Sequence, residues 1–197
     1  MEKTKYTHLF TPFQVGKLQI KNRICYAPVG TGLSENGTGA FDHSDVEFYV
    51  ARAKGGAGLI TTGAIFTDLT VDAYKPGALG TWQITHNPAP FRLTANKMLD
   101  RVHSYGAKMF AQLSLGTGRN SGSYAPSSIP TFADPSKMSP ALTVEQLQQK
   151  IEYLVQGAVI AKNSGFDGVE IHALHFGYLL DELEMEISNQ RTDQYGG

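Results

Sequence analysis

Cysteine is almost absent from this chain, with Cys25 the single one among 197 residues. One thiol excludes an intrachain disulfide and any multi-cysteine metal or iron–sulfur site within the chain, and it fits a reducing, cytoplasmic location. Net charge is nearly nil, 17 Lys and Arg standing against 18 Asp and Glu for a formal -1. Without an excess of either sign, no nucleic acid and no anionic membrane surface is expected as a partner. No apolar run reaches membrane-spanning length, and residues 1–8 lack the apolar core of a secretory signal. Neither GxGxxG nor a Walker pattern occurs, so Val29-Gly-Thr-Gly32 reads as a flexible loop rather than a phosphate cradle.

What is present is a repeating unit. A hydrophobic fraction of 41% supports one packed core, and 21 glycines suit short strand–loop–helix crossovers. Residues 9–20 read as a small hairpin around Gly16-Lys17. Apolar strands are expected at 22–28, 58–64, 107–113 and 168–171, with helices at 44–54, 90–104 and from Thr143 to Asn163. Ser44 is the expected N-cap of the first helix, and Thr143-Val-Glu-Gln146 is a capping-box match for the third. Leu147, Ile151, Leu154, Val155, Ala158 and Val159 are spaced as a stripe expected to pack on the sheet. Residues 68–90 and 116–140, rich in Pro, Gly and Ser, read as excursions over the site face.

Four successive βα units with like-pointing strand ends argue for a parallel α/β fold, and polar groups at those ends favour a (β/α)8 TIM barrel over a doubly wound sheet. A complete barrel needs about 250 residues. Residues 1–197 are therefore expected to be the N-terminal portion of one barrel domain, about its first four βα units after a short hairpin. The organising stretch is 165–180, which ends a helix at Gly165, runs a strand, and delivers His172, His175 and Tyr178. Two imidazoles and a phenol at such an end supply hydrogen-bond donors and a weak acid. The plainer reading makes both histidines ordinary polar strand-end residues. Gln112, near the end of its strand, offers an amide that donates and accepts at once, or is simply partly exposed loop polarity.

These residues together resemble the old yellow enzyme family of FMN-dependent ene-reductases. The resemblance rests on Leu18-Gln-Ile-Lys-Asn-Arg-Ile24 with Ala27-Pro28, Gly58-Leu-Ile with Gly63-Ala64, Gln112-Leu with Gly118-Arg119, and Ala125-Pro-Ser127. Its most specific parts are Gly165-Phe-Asp-Gly-Val-Glu-Ile-His, Gly177-Tyr-Leu-Leu-Asp181 and Asn189-Gln-Arg-Thr-Asp-Gln-Tyr-Gly-Gly197. It implies that Ala27, Pro28, Val29 and Gly30 lie along the flavin, that Ala64 approaches its pyrimidine side, and that Gln112 hydrogen-bonds its carbonyl and ring nitrogen. It further implies that His172 and His175 grip the oxygen of a small unsaturated carbonyl substrate, with Tyr178 as proton donor and NAD(P)H as electron source.

This chain departs from the family pattern in three places. Phe176 is inserted, giving His175-Phe-Gly-Tyr178, as in the enoate-reductase, dienoyl-CoA-reductase and bile-acid-enzyme branch. No histidine follows Gln112 before Arg119. The flavin-phosphate loops, which in the family follow strands seven and eight, lie outside this sequence, and 4Fe–4S and FAD sites are expected only in downstream regions. An incomplete barrel is not expected to hold FMN tightly alone, and the alternative to an ene-reductase is a truncated, catalytically inactive half-barrel that self-associates as a homo-oligomer. A metal-dependent barrel hydrolase using His172 and His175 lacks a third ligand in the sequence pattern.

Overall fold

The computed structural model describes residues 5–33, 37–67, 82–121, 123–175 and 177–196. An antiparallel hairpin, β1 (Phe13–Val15) and β2 (Leu18–Ile20), comes first, with Gly16 at positive φ in its turn. There follow β3 (Cys25–Val29), α1 (His43–Lys54), β4 (Leu59–Phe66), β5 (Trp82–Gln83), α2 (Pro88–Ser104) and β6 (Lys108–Ser114). After a 3-10 turn at Gly118–Ser121 come β7 (Ile129–Pro130), β8 (Met138–Ser139), α3 (Val144–Asn163), β9 (Gly168–Ile171) and α4 (Leu179–Glu184). Strands β3, β4, β6 and β9 pair in that order, all parallel, and β5 adds to the far end of β4. Every strand in the main path thus ends on the same side of the sheet.

The helices stand on one face of this sheet. Ile60, Ile65, Met109, Ala111 and Leu113 point into that layer, where they meet Tyr49 and Val50 of α1 and Phe91, Met98 and Val102 of α2. Each Ile, Leu, Met, Val or Phe among them, fully removed from water, contributes roughly 1.5–3 kcal/mol. An aromatic cluster of Phe41, Tyr49, Trp82 and Phe91 closes the upper end of the layer. Both β3 and β9 are edges of the sheet among the described residues, and Val169 and Ile171 of β9 are exposed.

Two expectations are corrected here. The N-cap of α1 is Asp42, not Ser44. Its carboxylate accepts the Asp45 amide at 3.2 Å, and the Asp45 carboxylate returns the bond to the Asp42 amide at 3.0 Å. This reciprocal pair satisfies two donors that Ser44, already inside the first turn, cannot reach. The stripe on α3 also divides. Leu147, Lys150, Gly157 and Ala161 form the buried face, whereas Ile151, Val155 and Val159 are exposed. A helix buries one face, and α3 is drawn down along Gly157, where an added Cβ would come 2.7 Å from Thr67 Cγ2. The Thr143 capping box forms as expected, with bonds of 2.8 and 3.1 Å to Gln146. Residues 68–81 of the first excursion lie outside the described residues, and its end, Pro88–Pro90, belongs to α2.

Candidate active site

An open cleft of about 790 Å³ lies where β3, β4, β6 and β9 end. Pro28, Gly30, Gly63 and Ala64 give it a floor of nearly bare backbone. Gln112 and Glu170 rise from the middle strands, and His172, His175 and Tyr178 form the wall beyond β9. The floor is bare because its two glycines meet. A Cβ on Gly63 would fall within 2.5 Å of Gly30 Cα, so the strands could not approach this closely with any larger residue.

β9 ends because the chain leaves the ladder at His172, whose amide still donates to Leu113 O at 2.9 Å. Beyond it the chain turns back at Gly177, which adopts φ 80°, a value that disfavours any residue with a side chain. The Gly177 amide donates to Asp181 Oδ2 at 2.8 Å, and the Tyr178 amide to His175 O at 3.2 Å. The turn brings three rings together. Their centroids lie 5.2 Å apart for His172 and His175, 5.0 Å for His172 and Tyr178, and 4.9 Å for His175 and Tyr178. Burial, helped by the nearby His175, lowers the His172 pKa, so this imidazole is neutral at neutral pH and offers one N–H. Burial likewise raises the Tyr178 phenol above its usual value of 10.0, which keeps its proton in place.

The Gln112 amide is already oriented. Its Nε2 donates to Glu170 Oε1 at 2.7 Å, its backbone N–H to Thr62 Oγ1 at 3.0 Å. One amide hydrogen is thereby committed, leaving the carbonyl oxygen and a second hydrogen for a ligand. Beneath the Tyr178 turn lies Glu182, completely buried. It accepts the Arg119 backbone amide at 3.0 Å, with the guanidinium Nε 3.5 Å away. Burial outweighs that cation and pushes the Glu182 carboxyl from 4.5 up to about 7. Arg119 and Glu182 therefore tie the loop after β6 to the helix that follows Tyr178.

The structure brings His172, His175, Tyr178, Gln112, Pro28, Gly30 and Ala64 to one cleft. Ala27 and Val29 are exposed on the same strand but do not line it. Phe176 lies outside the described residues. The strand β3 continues one residue past Pro28, which its edge position permits. Sequence reasoning passed over Glu170, although a lone carboxylate in an otherwise apolar strand is a visible signal. It also passed over Glu182, which looks like an ordinary residue of a charged helix. Among the described residues no group of three His, Cys, Asp or Glu side chains could hold a metal ion, and no helix is long and apolar enough to cross a membrane.

The profile of the NADH:flavin oxidoreductase / NADH oxidase family matches residues 8–197. Cinnamate reductase of Clostridium sporogenes is 44% identical over 99% of this chain, which spans 30% of that protein. NADPH dehydrogenase of Bacillus velezensis is 37% identical over 96% of the chain, spanning 54% of that protein. Among solved structures, Old Yellow Enzyme from Pichia sp. AKU4542 superposes with a TM-score of 0.81 at 28% identity, over 96% of this chain and 52% of that one. Morphinone reductase in complex with tetrahydroNAD superposes at 0.79 with 27% identity, over 96% and 55%. The chain spans about a third to a half of the length of the curated relatives it matches.

Proposed function

The chain belongs to the NADH:flavin oxidoreductase / NADH oxidase family, and we propose that its cleft is the ring-binding and proton-donating part of an FMN-dependent ene-reductase site. The observation that carries this reading is the convergence of His172, His175 and Tyr178 across one cleft from a bare-backbone floor and an oriented Gln112 amide. A planar ring can lie against the floor of Pro28, Gly30, Gly63 and Ala64 without meeting a side chain at Gly30, where an added Cβ would face open space. Gln112, held by Glu170, presents both a donor and an acceptor, which matches the alternating carbonyl and N–H edge of a flavin pyrimidine.

When bound and reduced by NAD(P)H, the flavin supplies a hydride to the β-carbon of an activated C=C bond. The residues of this chain do the rest. His172 and His175 donate to the carbonyl oxygen of an enone- or enoate-like substrate, where negative charge develops as the hydride arrives. Neutral His172 does so through an N–H without adding a full charge to the cleft. Tyr178 delivers its proton to the α-carbon, and its raised pKa keeps that proton available. An aryl enoate of the cinnamate kind is a fitting first substrate, given the similarity to a cinnamate reductase.

The test is a titration of FMN with the purified chain, read by quenching of flavin fluorescence, for wild type and Gln112→Ala. Saturable quenching that weakens at least tenfold in the variant is expected. No quenching by the wild type, or equal quenching by both, overturns the reading.

A further inference from the structure

Tyr49 lies on α1, completely buried, and none of the steps above uses it. Its hydroxyl sits between the two strands that carry the cleft floor, donating to Val29 O at 2.8 Å and accepting from the Gly63 amide at 3.0 Å. The sheet is irregular at this point. Cys25 pairs with Leu59 and Tyr26 with Ile60, then the register slips so that Val29 faces Thr62. The β4–β6 pairing slips between Thr61 and Ala64. A slip of this kind leaves buried backbone groups without ladder partners, and such groups are costly unless something else satisfies them. The phenol does this from outside the sheet, being donor and acceptor at once. One turn earlier on the same helix, Asp45 accepts the Thr31 hydroxyl and the Trp82 indole N–H, the latter at 3.0 Å. Residues 29–31 are thus suspended from α1 at two points.

We propose that Tyr49 is a positioning residue for the flavin: its hydroxyl fixes the slipped junction of β3 and β4 and so sets the level of the backbone floor at Gly30 and Gly63. The proposal rests on the flavin reading of the cleft. Burial raises the Tyr49 pKa, so the phenol keeps its proton and its donor role throughout the working pH range.

Tyr49→Phe removes one oxygen and keeps the ring in the core. Val102→Ala, a core substitution on α2, serves as the control for general destabilisation. Two quantities are read on each chain: hydrogen exchange of the Gly63 amide by NMR, and FMN affinity by fluorescence quenching. Tyr49→Phe is expected to speed Gly63 exchange at least tenfold and to weaken FMN binding about tenfold, while Val102→Ala changes FMN affinity less than twofold. Unchanged Gly63 exchange overturns the role at the junction. Equal FMN loss in both variants reduces Tyr49 to an ordinary core residue and overturns the positioning role. If Tyr49→Phe does not fold, the wild-type chain decides, because FMN must then shift both the Gly63 amide and the Tyr49 ring resonances; an unmoved Tyr49 ring overturns the proposal. A wild-type chain that leaves FMN fluorescence untouched overturns the flavin reading instead, and Gly63 exchange alone then judges the junction.

Discussion

At the ends of β3 and β4 the molecule shows its backbone to the cleft, while at the end of β9 it shows side chains. The first region is stiffened from behind: two glycines in contact, a phenol and a buried carboxylate of α1 holding the loop, and no charged group in the floor. The second projects three half-buried or exposed rings on a turn, steadied by Asp181 and Glu182 beneath it. On the flavin reading proposed above, the contrast follows the chemistry asked of each. A planar ring needs a surface without protrusions, which only a tightly spaced backbone offers. A reacting substrate needs donors and a proton, which only side chains carry.

Substitutions on the two sides should therefore fail in different ways. The largest effect is expected at Tyr178. Tyr178→Phe should lower turnover of an α,β-unsaturated carbonyl by ~10²–10⁴-fold while leaving the urea midpoint unchanged. A matching fall in stability would mean the ring is structural after all. On the backbone side Gly63→Ala should do the reverse, lowering unfolding free energy by about 3 kcal/mol, because the added Cβ meets backbone that cannot yield. Wild-type stability in that variant would show that the close approach is not a constraint.

Glu182 offers a finer probe. Its carboxyl pKa is higher in the folded chain than the ordinary 4.5, so the folded state holds the proton more tightly than the unfolded one. Its contribution to stability is complete below pH 4.5, declines as pH rises towards 7, and is level above that. The decline is worth up to ~3 kcal/mol. Glu182→Gln should flatten the stability curve between pH 5 and 8, measured by urea unfolding, and an unaltered slope would locate the titration elsewhere. The smallest effect tests the support of α1. Asp42→Ala should cost ~1 kcal/mol and Ser44→Ala less than ~0.5 kcal/mol, a difference that vanishes if Asp42 does not cap the helix.

Much of this arrangement was readable from the sequence. The strands declared themselves by short apolar runs ending in glycine or polar residues, and the Thr143 box marked the start of α3 to the residue. His172, His175 and Tyr178 stood out as polar groups after an apolar strand, and the structure places them in one cleft. The misses have physical causes. Asp42 and Asp45 cap α1 reciprocally with an aspartate at the third helical position, outside the usual Ser/Thr-x-x-Glu/Gln pattern. The stripe on α3 could be counted from its spacing, but which flank meets the sheet depends on Gly157 and its distant neighbour Thr67. Tyr49 reads as one more aromatic on a buried helix face. Its task is set by a register slip between strands, which no local pattern encodes.

The buried carboxyl under the tyrosine turn has a practical consequence. A buried carboxylic acid that changes protonation near neutrality has a carbonyl stretch that stands apart from both the amide bands and ionised carboxylates. Infrared difference spectra of unlabelled protein can therefore follow Glu182 directly, and with it the state of the turn that carries Tyr178.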